Sequence, residues 1–161
     1  MIKVLVADDH PVVRDGLRAL FAEYPSIELI GEAATGREAI KAAVINRPDV
    51  IIMDLAMPDT DGFSATAEIS RVAPEVAVLV LTMSDDDVTM TKAMRAGARG
   101  YVMKHETSKN VLTSIRRVIG GDTYVSERIV NRMALRLTSA RRPLAGSPVE
   151  RLSDRELEIF Q

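Results

Sequence analysis

Short runs of apolar residues alternate along this chain with longer segments in which apolar side chains recur every three or four positions. Five runs rich in aliphatic and β-branched residues stand at fairly even spacing, at 2–7, 27–32, 49–53, 76–81 and 100–103. Three are almost wholly apolar, as strands buried on both faces of a parallel sheet must be. The second carries Glu28 and Glu32 and reads as an edge strand.

The segments between them have helical spacing. Segment 11–23 sets Val13, Leu17, Leu20 and Phe21 on one face, with Pro11 in the first turn, where its missing N–H is tolerated. Segment 36–46 offers Ala39, Ile40, Ala43 and Val44. A third helix is expected after Asp61-Gly62 and a fourth over 86–96, stopped by Gly97. The fifth, from Ser108, aligns Val111, Leu112, Ile115, Val118 and Ile119 before Gly120-Gly121. Strand and helix alternating five times predicts a parallel α/β sandwich with right-handed crossovers. In such sheets ligands sit at the carboxyl ends of the strands.

Beyond Gly121 the pattern changes. Segment 126–137 can form one more helix with Ile129, Val130, Met133 and Leu137 on one side. After it, Arg141-Arg142-Pro143, Gly146 and Ser147-Pro148 have the composition of a linker. Ser153 with Glu156 then makes a capping box, and Leu152 with Leu157 fits the hydrophobic staple around it. The division read from this is 1–121 for the main domain, 122–138 for a helical extension, 139–150 for a linker and 151–161 for the start of a truncated second domain.

Composition narrows the classes. Of 161 residues, 47% are hydrophobic and 27% charged, the balance of a folded globule rather than a disordered chain. The net charge of −2 argues against a general nucleic-acid binder. Without cysteine there is no disulfide framework, thiolate metal site or Cys nucleophile. The apolar start is cut short by Asp8-Asp9, too early for a signal peptide, and no run approaches the ~18 residues of a membrane span. The expectation is a cytoplasmic protein with no membrane contact.

The predicted strand ends gather the chemistry. Strand one ends in Asp8 and Asp9, strand three in Asp54, strand four in Thr82 and strand five in Lys104. Two carboxylates ~4 Å apart repel by about 4 kcal/mol at an effective dielectric near 20, so three in one pocket call for a cation. A hard divalent ion answers this, and Mg²⁺ commonly uses one or two carboxylates, waters and a phosphate oxygen. Lys104 adds a compact positive charge and Thr82 a hydroxyl donor, both suited to phosphoryl oxygens. A carboxylate can itself be the nucleophile that accepts phosphate, with metal and Lys offsetting the charge of transfer.

These residues resemble a known family. Val4-Leu5-Val6-Ala7-Asp8-Asp9-His10, Met53-Asp54-Leu55-Ala56-Met57-Pro58 with Asp61-Gly62, Leu81-Thr82-Met83-Ser84 and Gly100-Tyr101-Val102-Met103-Lys104 are similar to the receiver domain of response regulators. The run Asp9-His10-Pro11-Val12-Val13-Arg14 and the stretch Leu152-Ser153-Asp154-Arg155-Glu156-Leu157 narrow the resemblance to the NarL/FixJ type, which carries a LuxR-like helix-turn-helix after the receiver. The likeness covers about residues 1–120.

The resemblance implies a flavodoxin-like (βα)5 doubly wound sheet in which Asp54 is phosphorylated by a sensor histidine kinase. It implies Mg²⁺ held by Asp9, Asp54 and the Ala56 carbonyl, with Asp8 acting through a metal-bound water. It also implies that Thr82 and Lys104 hold the phosphoryl oxygens and that Tyr101 moves as Thr82 is drawn in. Phosphorylation would then promote a homodimer, with Ala93, Met94, Val111 and Ile115 as the residues to watch. DNA would be read by the complete output domain and not by 1–161. Two positions depart from the common pattern. His105 follows Lys104 where many receivers have Pro, often after a cis bond, and Met83 follows Thr82 where smaller residues are frequent.

Plainer readings exist for single residues. Asp8-Asp9 can cap a helix before Pro11, Thr82 can be an ordinary strand residue and Tyr101 can be core filling. His10 and His105 read as hydrogen-bonding or surface residues rather than metal ligands, with no other His or Cys at ligand spacing. Asp85-Asp86-Asp87 reads as acids meeting a helix dipole. Arg116-Arg117 and Arg141-Arg142 read as solvated charges. Two rival functions fit the residues less well. A haloacid-dehalogenase-like phosphatase needs an Asp-x-Asp pair after the first strand, whereas here the pair is adjacent and the nucleophile follows strand three. A docking module that works without phosphate would have no use for the whole acidic set with Thr82 and Lys104.

Overall fold

The apolar runs form strands because a strand covered on both faces can bury every side chain it carries. In the computed structural model, which describes residues 1–84, 86–106, 108–126, 129–131 and 134–135, all of β3 (Val50–Met53), β4 (Ala77–Thr82) and β5 (Gly100–Met103) is buried. β1 (Ile2–Ala7) is buried over its last four residues. β2 (Ile27–Ala33) keeps Glu28 and Glu32 exposed, as an edge strand should. All pair in parallel, in the order β2-β1-β3-β4-β5-β6.

The sixth strand, β6 (Tyr124–Val125), extends the sheet beyond the five strands expected, pairing Gly100 with Tyr124 and Tyr101 with Val125. It falls where the sequence reading began its helical extension. Two residues are too few to show any periodicity, so no pattern announced it.

Between the strands lie α1 (Pro11–Ala22), α2 (Gly36–Asn46), α3 (Gly62–Val72), α4 (Asp87–Arg95) and α5 (Ser108–Ile119). One core joins Leu17 and Phe21 of α1 and Val111, Leu112, Ile115 and Val118 of α5 to one face of the sheet, through Val4, Val6, Val50, Ile52, Leu79 and Val102. Alternate strand residues, Leu5, Ile51, Met53, Val78, Val80 and Tyr101, are buried on the other face. Neighbouring α2, α3 and α4 touch in series. The result is the flavodoxin-like doubly wound sandwich.

The helix starts follow local chemistry. Thr35 caps α2 by accepting from the Glu38 N–H at 3.1 Å, while Glu38 reaches back to the Ala34 N–H at 2.9 Å. Asp61 caps α3 by accepting from the Ser64 N–H at 2.8 Å. The Asp8-Asp9 pair does not cap α1, whose N-cap is His10 and has no side-chain cap. Asp87 stands in the first turn of α4 as the dipole reading expects, and Asp85 lies outside the described residues.

Ala93, Val111 and Ile115 are buried in the core, so of the four residues watched for self-association only Met94 is partly accessible. The intrachain packing of α4 and α5 consumes the other three. Residues 129–131 and 134–135 are helical and belong to a second compact unit, separate from Met1–Ser126. The linker at 139–150 and the capping box at Ser153 and Glu156 lie outside the described residues.

Candidate functional site

Three ladder bonds continue past the strands and set the site. The Asp8 N–H donates to Ala33 O at 2.9 Å, the Asp54 N–H to Ala7 O at 2.8 Å and the Lys104 N–H to Thr82 O at 2.7 Å. Each residue is thus anchored by the sheet yet stands just beyond its strand. β1 lies between β2 and β3, so the strand order reverses there, and the crevice outside its carboxyl end is where such sheets bind ligands.

The side chains meet as the sequence predicted. Lys104 Nζ lies 2.9 Å from Asp8 Oδ2 and 3.3 Å from Asp54 Oδ1. Asp54 is only 3% exposed and Asp8 is equally buried, while Asp9 is partly exposed. Asp54 Oδ1 also accepts a long bond, 3.4 Å, from the Ala56 N–H. Burial, followed by the charge of Asp8, pushes the Asp54 carboxyl above the usual range, against the pull of Lys104 and the Ala56 N–H. For Lys104, burial alone would lower the pKa of the ammonium, but its close ion pair with Asp8 and the charges of Asp54 and Asp8 raise it overall.

The acidic oxygens are under-satisfied. Asp9 Oδ1 and Asp54 Oδ2 have no hydrogen-bond partner among the described residues, and Asp8 Oδ2 has its ion pair with Lys104 but no well-formed hydrogen bond. Buried carboxylate oxygens left without donors carry a desolvation cost that a cation relieves. The donor set is therefore suited to a hard divalent ion, whose preferred ligands are carboxylate oxygens, carbonyls and water.

Thr82 and Tyr101 meet through one residue. Thr82 Oγ1 accepts from the Ser84 N–H at 3.2 Å, and Tyr101 Oη donates to Ser84 O at 2.8 Å. Tyr101 is fully buried at its register position beside Val80. Met83, by contrast, is exposed to solvent, while Thr82 is buried.

Three neighbours were not singled out for the site from sequence. Glu106 accepts from the Met103 N–H at 2.8 Å and from Asn110 Nδ2 at 3.3 Å, tying down the turn that carries Lys104. The described peptide bonds are all trans, the one after Lys104 included. Ser84 is the second. His10 is the third, and the hydrogen bonding expected of it is present, from Nδ1 to Asp8 Oδ1 at 2.8 Å. The same nitrogen also lies 3.2 Å from Asp9 Oδ1 and 3.8 Å from Asp54 Oδ2. No sequence signal tells a histidine beside an acidic pair to turn inward.

Gly62 completes the floor of the site. A Cβ there would stand 2.3 Å from Asp54 O and 2.6 Å from Leu55 Cα, so the loop after Asp54 can fold back onto α3 only without a side chain.

Comparison with known proteins agrees with this geometry. The family model described as the response regulator receiver domain matches residues 4–116. The chain is 37% identical over 159 residues to the response regulator GacA of Pseudomonas aeruginosa, covering 99% of this chain and 73% of that protein. It is 37% identical over 160 residues to the response regulator UvrY of Escherichia coli K12, covering 99% and 72%. Among solved structures, a LuxR-family two-component response regulator from Aurantimonas sp. SI85-9A1 superposes with a TM-score of 0.80 at 31% identity, covering 84% of this chain and 97% of that one. With its motifs at the rim of a flavodoxin-like sheet, response-regulator relatives along nearly its whole length and a LuxR-family structure matching most of it, the chain belongs to the response regulator receiver family and is of the NarL/FixJ type.

Proposed function

We propose that Asp54 accepts a phosphoryl group from a sensor histidine kinase and that the acyl phosphate switches the chain between two conformations. The observation that carries this reading is a buried carboxylate with one oxygen on Lys104 and the other without a hydrogen-bond partner. An Asp54 oxygen attacks phosphorus, the bond from phosphorus to the kinase's histidine nitrogen breaks, and that imidazole keeps the electron pair. Lys104 balances charge on the phosphoryl oxygens, and the Thr82 hydroxyl donates to one of them.

Asp9, Asp54 and the Ala56 carbonyl would hold Mg²⁺, with Asp8 bound through water. The ion would supply charge neutralisation at the transferring group. Drawing Thr82 toward the phosphoryl group breaks its bond from Ser84, and Tyr101 follows because its hydroxyl is tied to the Ser84 carbonyl. The chain acts as a regulator rather than as an enzyme with an external product. Its setting is the cytoplasm, and among the described residues no helix is long and apolar enough to cross a membrane.

Phosphorylation then promotes a homodimer and releases or aligns a DNA-binding output domain of the LuxR type, opened at 151–161 after the receiver (1–121), the extension (122–138) and the linker (139–150). Sedimentation with and without beryllofluoride and Mg²⁺ tests site, metal and association together. The expected result is a mass shift that needs both additives and is lost in Asp54→Asn. An unchanged monomer with both additives contradicts the switch.

A further inference from the structure

The imidazole of His10 faces the acidic cluster, and the function proposed above has no role for it. Its Nδ1 lies 2.8 Å from Asp8 Oδ1, 3.2 Å from Asp9 Oδ1 and 3.8 Å from Asp54 Oδ2. Ligand atoms drawn from these four residues all fall within 4.8 Å of one another. Around a six-coordinate ion with bonds of about 2.0–2.1 Å, adjacent ligands are about 3 Å apart and opposite ones about 4 Å. The nitrogen-to-oxygen distances span that range. Asp54, nine-tenths buried and more, turns an oxygen without a hydrogen-bond partner into the same space.

We propose that His10 Nδ1 is an additional ligand at this site, so that it takes a borderline divalent first-row transition cation, such as Ni²⁺ or Co²⁺, more tightly than carboxylates alone would. This rests on the reading that the acidic cluster binds a divalent ion, and goes beyond it in the ligand and the class of metal. Imidazole suits borderline transition ions, whereas Mg²⁺ prefers oxygen and gains little from nitrogen. The backbone already favours the inward ring. The His10 N–H donates to Asp8 Oδ1 at 2.8 Å, which folds the residue back over the carboxylate it follows. The ring is also 57% exposed, so it can shift toward an ion without breaking core packing. On coordination the imidazole takes the neutral tautomer with its proton on Nε2, which frees the Nδ1 lone pair for the ion and exchanges the hydrogen bond to Asp8 for the shared metal.

The alternative is that His10 only orients Asp8. Calorimetric titration of tag-free protein with MgCl₂ and NiCl₂, in the absence of any phosphodonor, separates the two. The chain has two histidines, so His105→Ala controls for nickel held elsewhere, and thermal melts confirm that each variant is folded. The expected result is that His10→Ala weakens Ni²⁺ by about tenfold or more, the scale of losing a group that serves a metal, while Mg²⁺ changes by less than about threefold. His105→Ala should change neither. Equal losses for both ions assign His10 to orienting Asp8 and overturn the proposal, as does unchanged nickel affinity. Wild type that binds no Mg²⁺ at Asp9 and Asp54 is a different result, and overturns the divalent-ion reading beneath it.

Discussion

Lys104 and Asp8 are joined by a 2.9 Å ion pair that spans the rim of the sheet, from the tip of β5 to the tip of β1. The same ammonium faces Asp54 at 3.3 Å, so one cation serves two buried carboxylates. Lys104→Met leaves both without it. Removing one partner of a buried pair costs about 3–5 kcal/mol, and the partial solvent access here places the loss at the lower end of that range. Urea denaturation in EDTA should show this destabilisation, and Mg²⁺ should recover much of it. The raised Lys104 value gives the sign with pH. Its stabilisation is complete below the ordinary lysine range and is lost only as pH rises through the raised value.

Asp54 has the opposite sign. Burial and the charge of Asp8 raise its carboxyl in the folded chain, so the folded state holds that proton more tightly than the unfolded one. The penalty for ionising it is absent below the ordinary aspartate range and complete above the raised value. Metal-free Asp54→Asn should therefore be more stable than wild type at neutral pH, and the advantage should shrink as pH falls through that window. Thermal melts in EDTA across the acid range measure it. An advantage that grows toward low pH contradicts the burial argument.

Gly62→Ala tests the floor of the site. The new Cβ meets backbone atoms at 2.3 and 2.6 Å, which cannot rotate away as a side chain can. A loss of about 1–3 kcal/mol or more is expected from such overpacking. Gly16→Ala, with no atom within 4 Å of its Cβ, is the matched control and should not destabilise. Denaturant midpoints for the pair decide it.

Glu106 holds the loop after β5 by accepting the Met103 N–H. Glu106→Ala should cost about 1–3 kcal/mol, the scale of a buried donor left unpaired, and should weaken beryllofluoride binding by freeing the Lys104 turn. Glu106→Gln keeps an acceptor oxygen and should restore most of both. Equal defects in the two variants would point to the charge of Glu106 instead.

Most of the fold was readable because the strands are buried on both faces, which writes a continuous apolar run into the chain. α5 shows the same logic, with Val111, Leu112, Ile115 and Val118 inward and Ile119 left half-exposed at the helix end. The predicted convergence of Asp8, Asp54 and Lys104 followed from strand ends in a parallel sheet and holds in the ion pairs. What was hidden depends on contacts between residues far from any pattern. β6 is a two-residue pairing, Ser84 acts through its backbone, and Glu106 fills a bond that β5 leaves open. The inward turn of His10 comes from its own N–H to Asp8, a choice of loop geometry that residue type does not reveal.

Asp54 as the phosphoryl acceptor is read directly by intact-mass measurement. Wild type and Asp54→Asn are incubated with phosphoramidate, with Mg²⁺ or with EDTA. The predicted result is a single added phosphoryl group on wild type with Mg²⁺, little in EDTA, and none on Asp54→Asn. Equal phosphorylation of Asp54→Asn, or full labelling of wild type in EDTA, contradicts it.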